Sequence, residues 1–403
     1  METIIYIGIL IVLAGIIALE MRIPVAIMEI IFGVLAFNIL GLTTDSWIEF
    51  MANLGVLGIM FFAGLEIDPN VLKRDFLKSS STGALIYLCR LTIVFVVAFL
   101  LFGYNPYTSL LIGISLSTTS LALVYPIVKE RGSIKTDYGQ AILSVAMVID
   151  ILSTISLIFF VQPEHEAFLA IYIVISFLIF LFAPKVTKKI FARYGGNIAE
   201  IEVRFILLFL VAAGFLAEKL MLSEVIFAFF LGLIFSEILT DRKDVEEKLR
   251  GIIFGFLAPV FFFKAGMLMD LRSLSMDVLF FILVFGTIAY LSVYLIAKHI
   301  FARWFGPEIG KCTGLIFNFR LSFGIIAAIF GLRMGLITVP IYTGIVTIIL
   351  LASVVSSILL KFIPPPRTCR IVPSGSSEDL IWTCTSELRS SCLNGIKLYW
   401  HIL

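Results

Sequence analysis

A single acidic residue lies deep inside an apolar stretch of this sequence, and it is the clearest candidate for chemistry. Asp150 lies near the middle of the apolar run 139–161, and Ser153 is one of the few polar residues near it along the chain. A charge at such a depth costs about 2.5–3.5 kcal/mol on membrane-insertion scales, so its presence indicates a function. A carboxyl group there can hold either a proton or a metal cation such as Na⁺, since each neutralises its charge.

Hydroxyl side chains are concentrated in the apolar run 108–128, which precedes the run with Asp150. The hydroxyl residues of this run include Ser115, Ser117, Thr118, Thr119 and Ser120. In an ordinary helix such hydroxyls bond to the carbonyl one turn back. Alternatively they mark a broken helix, whose freed carbonyls and hydroxyls coordinate a cation. Hard cations such as Na⁺ prefer oxygen ligands, which favours the second interpretation beside Asp150.

Basic residues also lie within the apolar runs. Arg320 is central in the run 309–331 and is expected to line the site or to balance the carbonyl dipoles of a helix end. Lys264 lies about one turn from the end of its run, so it either reaches the membrane surface or pairs with Asp150. Arg90 is a weaker candidate of the same kind.

The elements that must position these residues are membrane-spanning helices. Hydrophobic residues make up 60% of the 403 residues, charged residues only 14%, and the net charge is +2. Such a composition excludes a soluble globular enzyme and argues against nucleic-acid binding. The apolar runs are long enough to cross the bilayer, and we count thirteen of them. They are 3–19, 24–41, 48–67, 82–103, 108–128, 139–161, 166–184, 204–219, 222–239, 251–269, 275–299, 309–331 and 336–362.

The distribution of Lys and Arg predicts the orientation in the membrane. Loops after odd-numbered spans carry nearly all of these residues, whereas loops after even-numbered spans carry only Lys219, Arg272 and Arg333. Basic loops stay in the cytosol, so the N-terminus is expected outside and the C-terminus inside. Residues 1–363 would form the transmembrane domain. Residues 364–403, which begin with three prolines, would be a cytosolic tail that is disordered or not native.

An internal repeat indicates a transporter. The segment 61–68 (FFAGLEID) resembles the segment 263–270 (FKAGMLMD) at an offset of 202 residues, and the two copies end on opposite sides of the membrane in the predicted topology. Inverted repeats of this kind are typical of secondary transporters. The same offset carries Thr118 to Arg320, so each repeat is expected to contain one broken helix.

These motifs resemble the monovalent cation:proton antiporter superfamily, most closely its Kef-type branch. The resemblance covers residues 1–363 and rests on the glycine-spaced segment 53–68, on Thr119-Ser120 followed by Asp150, and on the segment 263–267. It implies an all-α fold of about thirteen transmembrane helices, with inverted repeats and two broken, crossing helices. By position, Asp150 would bind the cation or proton, with Thr119 and Ser120 beside the break.

The resemblance also implies a homodimer in the cell membrane, with a core that moves like an elevator against a dimerisation panel. Ile149 stands where many electrogenic members have a second acid. One carboxylate then indicates electroneutral exchange of Na⁺ for H⁺. A K⁺/H⁺ antiporter is the alternative, and a cation channel is a more remote one. We expect no enzymatic activity, no catalytic residues and no resident cofactor, and as partners only membrane lipid, the transported ions and a second copy.

Overall fold

The computed structural model describes residues 2–21, 23–65, 76–131, 133, 136–158, 186–187, 189–191, 193–194, 200–219, 224–239, 242–363, 370–373 and 380–383. Residues 1–363 form one compact unit and residues 364–403 another. The α-helices of the first unit are α1 (Glu2–Met21), α2 (Val25–Asn38), α3 (Ser46–Leu65), α4 (Phe76–Val96), α5 (Pro106–Ser117), α6 (Leu121–Glu130), α7 (Asp137–Ile158), α8 (Ile201–Lys219), α9 (Glu224–Leu239), α10 (Lys243–Ile252), α11 (Ala258–Met267), α12 (Met276–Phe305), α13 (Pro307–Ile316), α14 (Leu321–Arg333) and α15 (Val339–Phe362).

These helices follow the apolar runs of the sequence. In the described part of the chain, eight helical stretches are long and apolar enough to cross a membrane, and α2 is a shorter apolar helix. Twelve of the thirteen predicted spans coincide with helices, and the seventh, 166–184, lies outside the described residues. The all-helical membrane fold is therefore confirmed, while the total of thirteen stays a prediction.

Two of the predicted spans are interrupted near their middle. Helix α5 ends at Ser117, residues 118–120 are not helical, with Thr118 extended, and α6 then begins. In the second repeat, residues 317–320 separate α13 from α14, and this interruption starts with a turn at residues 317 and 318. Both interruptions are in apolar surroundings, where freed backbone groups need partners inside the protein.

Helices α3 and α9 approach each other through glycines. A Cβ atom added to Gly64 would lie 2.0 Å from the carbonyl oxygen of Phe229, and one added to Gly232 would lie 1.9 Å from that of Phe61. No side chain fits at either position, so these two glycines allow the backbones to touch.

The corresponding helices of the other repeat pair, α2 and α11, make the same contact. A Cβ atom on Gly33 would lie 2.0 Å from the carbonyl oxygen of Phe263, and one on Gly266 would lie 2.0 Å from that of Ile30. Gly64 and Gly266 are related by the offset of 202 residues, so the inverted repeat is visible in the packing. We call α2, α3, α9 and α11 the panel.

The helices around the two interruptions form a second group, which we call the core and which comprises α4–α7 and α12–α15. Helix α4 packs on α5, α7 and α12, and α14 packs on α5 and α15. The two interrupted spans thus lie together inside this group. The residues of the segments 118–120 and 317–320 are buried among these helices.

Helices α10 and α11 are continuous through one wide π-helical turn, Ile253–Leu257. Pro259 lies just after it and lacks the N–H that would bond one turn back. A wider turn relieves the clash between the proline ring and that carbonyl, so the predicted span tolerates its proline without ending.

The second unit contains two short strands, β1 (Arg370–Pro373) and β2 (Leu380–Thr383). They pair antiparallel, with Arg370 opposite Thr383. The sequence did not predict them, because the tail shows no clear hydrophobic period.

Candidate ion-binding site

The carboxylate of Asp150 lies against the first turn of α6. The backbone N–H of Leu121 donates a hydrogen bond of 3.2 Å to Asp150 Oδ2, and the Asp150 side chain is 2% exposed. The N-terminus of a helix carries a partial positive charge and unpaired N–H groups, both of which stabilise a carboxylate. Asp150 comes from the middle of α7, so the interruption before α6 brings that helix end to the carboxylate.

Hydroxyl groups surround the first interruption. Thr118, Thr119 and Ser120 are all buried. Four buried side-chain oxygens in and just before this segment have no hydrogen-bond partner among the described residues, and they belong to Ser115, Ser117, Thr118 and Thr119. Buried polar groups are normally paired. These oxygens therefore have lone pairs that a cation with oxygen ligands can use.

The two interrupted spans are joined at Ser120. Its backbone N–H donates a hydrogen bond of 2.8 Å to the carbonyl oxygen of Phe319. Its hydroxyl oxygen lies 3.0 Å from that of Ser322, which begins α14 together with Leu321. The interruption of the first repeat is thus hydrogen-bonded directly to that of the second, and the predicted crossing of two broken helices is confirmed.

Arg320 fills the second interruption and is completely buried. Its guanidinium donates to the carbonyl oxygen of Leu116 at 3.0 Å and to that of Ala289 at 3.3 Å. A third bond, of 2.6 Å, goes to Asn318 Oδ1. The bond to Leu116 lies at the C-terminal end of α5, where the helix dipole is negative and favours a cation. This is the dipole-balancing position expected for Arg320.

Arg90 of α4 makes a similar contact from another side. It is also completely buried, and its Nη2 donates a 2.6 Å hydrogen bond to the carbonyl oxygen of Thr118. Two guanidinium groups therefore bind carbonyls at the end of α5. Those two carbonyl oxygens each have an arginine partner, whereas Asp150 contacts the N-terminal end of α6.

Ser153 and Thr154 lie one turn beyond Asp150 on α7. The Ser153 hydroxyl donates to the carbonyl oxygen of Ile149 at 2.7 Å, and the Thr154 hydroxyl donates to that of Asp150 at 2.9 Å. Both are the local bonds that hydroxyls make inside ordinary helices. The Ser153 hydroxyl oxygen keeps a lone pair, so its predicted place beside the site remains compatible with this geometry.

Lys264 lies in the panel, apart from the interruptions. Its side chain is buried, and its Nζ lies 3.7 Å from Glu49 Oε1 on α3. The pairing with Asp150 considered from the sequence is not the one observed. A cation near the end of α11 also suits the negative end of that helix.

The sequence identified most of this cluster and missed two members. Asp150, Thr118, Thr119, Ser120 and Arg320 come together at the crossing, as the sequence suggests. Ser322 and Asn318 were not predicted, and Asn318 donates to the carbonyl oxygen of Gly314 at the end of α13. The repeat offset already carried Ser120 to Ser322, so the signal for Ser322 was present in the sequence.

The chain resembles several transport proteins along most of its length. It is 27% identical over 334 residues to a Methanocaldococcus jannaschii protein named "Probable Na(+)/H(+) antiporter 3", which covers 80% of this chain and 84% of that protein. It is 26% identical over 347 residues to YjbQ of Bacillus subtilis, covering 79% of this chain and 55% of YjbQ. The chain therefore matches only about half the length of YjbQ.

A solved structure has the same fold. The sodium proton antiporter MjNhaP1 from Methanocaldococcus jannaschii superposes with a TM-score of 0.64, covering 90% of this chain and 96% of that one, at 16% sequence identity. The family model described as "Sodium/hydrogen exchanger, transmembrane" matches residues 8–363. The Kef-type branch remains a prediction. With nearly all of residues 1–363 matched, this chain belongs to the sodium/hydrogen exchanger family.

Proposed function

We propose that this protein is an antiporter that exchanges a monovalent cation, Na⁺ in the first instance, for H⁺ across a membrane. It is a transporter and not an enzyme, as its family indicates. The observation that carries the proposal is the buried Asp150 carboxylate of α7, which accepts from the first turn of α6 beside hydroxyl oxygens that have no hydrogen-bond partner among the described residues. The names of the relatives, as Na(+)/H(+) antiporters, support the same reaction.

The cation and the proton compete for one carboxylate. A proton bound to Asp150 removes its charge, and a cation bound there neutralises it with help from the oxygens of Thr119, Ser120 and the neighbouring segment. The empty, charged site is costly to carry through an apolar barrier, whereas either loaded form is not. Exchange follows because the protein moves the site only when one of the two ions is bound.

Among the described residues at the crossing, Asp150 is the single acid, so we expect the exchange to be electroneutral. Its neighbour Ile149 cannot titrate, and Lys264 pairs with Glu49 in the panel. Each cycle then carries one cation one way and one proton the other way. Arg90 and Arg320 hold their charges on the carbonyl end of α5 throughout, so they do not enter the exchange balance.

We further propose that the core (α4–α7 and α12–α15) is a transport core, which moves against the panel like an elevator and carries the site with it. The protein would be a homodimer in the cell membrane, associated through the panel, with the N-terminus outside and the C-terminus in the cytosol. The distribution of Lys and Arg between loops supports this orientation. No resident cofactor is proposed, because the transported ions supply all the charge that moves.

Exchange in proteoliposomes tests the function. Proteoliposomes that hold a pH dye inside are given an imposed pH gradient. Na⁺, Li⁺ or K⁺ is then added outside, with and without valinomycin. We expect cation-dependent proton movement that saturates with cation concentration and is unaffected by the membrane potential. Stronger movement with K⁺ than with Na⁺ would favour the K⁺/H⁺ alternative, and flux that does not saturate would favour a channel.

Two variants accompany the wild type. Asp150→Asn keeps the shape of the side chain and cannot ionise, so it should abolish exchange. Asp137→Asn removes a carboxyl group at the start of the same helix α7 and should leave exchange nearly unchanged. Exchange that persists in folded Asp150→Asn protein would refute the assignment.

A further inference from the structure

Ser322 lies at the start of α14, and no part of the proposed exchange has used it so far. Its side chain is 6% exposed, and its hydroxyl oxygen lies 3.0 Å from that of Ser120. The two residues are 202 positions apart, which is the offset of the inverted repeat. The contact therefore joins equivalent residues of the two repeats.

Ser120 is connected to both the second repeat and the carboxylate. Its backbone N–H bonds to Phe319, and its hydroxyl meets Ser322. The next residue, Leu121, donates its N–H to Asp150. The position and the rotation of the Ser120 hydroxyl are thus set by the second interruption, one residue away from the amide that holds Asp150.

A pair of hydroxyl groups can bond in two directions, and only one of its two hydrogens lies between the oxygens. When Ser322 donates, the Ser120 hydrogen is free to point elsewhere. When Ser120 donates to Ser322, both lone pairs of the Ser120 oxygen stay unused by this bond and point away from Ser322. A bound cation needs lone pairs and repels a hydrogen, so it favours the second direction.

We propose that Ser322 is a positioning residue for the cation: it accepts the hydrogen of Ser120 and so presents the Ser120 oxygen to the bound ion. This inference rests on the proposed function, in which Ser120 is a cation ligand. Ser322 would act through Ser120 without touching the ion. It would favour the cation-bound form while leaving proton binding to Asp150 in place.

The test is a double-mutant cycle measured by Na⁺-dependent exchange in proteoliposomes. Ser322→Ala should raise the KM for Na⁺ by roughly 2- to 10-fold, the range for one hydrogen bond, with the maximal rate largely kept. Ser120→Ala should raise it as well. In the Ser120→Ala background, adding Ser322→Ala should change the KM little further, because its partner is already absent.

Ser353→Ala is the matched control, since Ser353 is a buried serine of the transport core whose hydroxyl bonds to the carbonyl of Ile349 on its own helix. It should leave the KM unchanged. An unchanged KM in Ser322→Ala, an equal rise in both backgrounds, or a Ser322→Ala protein that no longer folds would each overturn the inference. A wild-type protein without Na⁺-dependent exchange would instead refute the proposed function.

Discussion

The charged groups at the crossing each bind a backbone group of opposite polarity. Asp150 accepts from the first N–H of α6, whereas Arg90 and Arg320 donate to carbonyls at the end of α5. The C-terminal end of α5 and the N-terminal end of α6 therefore each contact a side-chain charge that compensates the helix dipole. This pairing allows a helix to be interrupted inside an apolar layer, because backbone groups freed at the interruption find partners within the protein.

Replacing Arg320 should destabilise the protein strongly. Arg320→Met leaves the carbonyls of Leu116 and Ala289 and the Asn318 side chain without their donor, at about 1–3 kcal/mol for each buried group left unpaired. A large fall in the thermal melting temperature of the purified protein is the expected result.

Arg303→Met serves as the control for this change, because Arg303 is exposed near the end of α12. It should shift the melting temperature little, as surface substitutions generally do. Equal melting temperatures for Arg320→Met and wild type would show that the three contacts of Arg320 do not stabilise the interruption.

Some site residues could be predicted from the sequence because they are charged residues within apolar runs, where burying a charge costs free energy. Asp150 and Arg320 are charges in apolar runs, and any such residue needs a reason to be present. Ser322 is a small polar residue of the kind that is common in membrane helices, so its residue type alone does not indicate a role. Only its contact with Ser120 and the repeat offset between them indicate one. The partner of Lys264 could not be predicted, because it depends on how α3 and α11 lie against each other.

At the scale of elements, the panel depends on direct backbone contact. The glycines of α3 and α9 face each other's carbonyl groups, and those of α2 and α11 do the same. In lipid, helices gain little from the hydrophobic effect, so close van der Waals contact between small residues carries the association.

Adding a methyl group at such a contact should separate the helices. Gly64→Ala would place Cβ 2.0 Å from the carbonyl oxygen of Phe229, a backbone atom that cannot turn away. We expect a loss of about 1–3 kcal/mol, measured as a lower melting temperature. Gly15→Ala on α1 has nothing within 4 Å and should be neutral or slightly stabilising. A Gly64→Ala protein as stable as wild type would contradict the close contact.

The helices themselves were more predictable than their interruptions. Hydropathy located the spans because each helix must cover the apolar layer. It could not show where α5 gives way to α6, since both halves are apolar and hydropathy does not register backbone geometry. The position of that break was suggested by hydroxyl residues and by the repeat. Helix α10 starts at Lys243, well before the predicted span, which began at residue 251. Hydropathy missed these first turns because they are charged.

At the scale of the whole membrane unit, polar contacts cross between the panel and the transport core at a few described positions. Arg333 at the end of α14 donates a 2.6 Å hydrogen bond to Asn53 Oδ1 on α3. The Tyr342 hydroxyl on α15 donates to the carbonyl oxygen of Ala265 on α11 at 2.8 Å. An elevator movement would have to break such contacts, of which the Arg333 bond is exposed and the Tyr342 bond is buried. A typical hydrogen bond contributes only about 0.5–1.5 kcal/mol net, so a few of them do not prevent movement.

Cross-linking across this boundary should stop exchange if the core moves. Asn53→Cys with Arg333→Cys, in a background with the five native cysteines replaced, would be joined by a reducible bifunctional thiol reagent. We expect exchange to be lost on cross-linking and to return on reduction.

Cross-linking Glu49→Cys to Lys264→Cys provides the matched control, because both residues belong to the panel and already form an ion pair. That link should leave exchange intact. Full exchange by protein cross-linked between positions 53 and 333 would argue against relative movement of the panel and the core.

The most direct test of the central claim is to count the protons released when Na⁺ binds. Purified protein in weakly buffered detergent solution, held at a pH where the site is protonated, is titrated with Na⁺ while the pH is recorded. If the two ions compete for Asp150, each Na⁺ bound should release one proton, and Asp150→Asn should release none. Sodium binding without proton release by the wild type, or equal release by Asp150→Asn, would contradict the account.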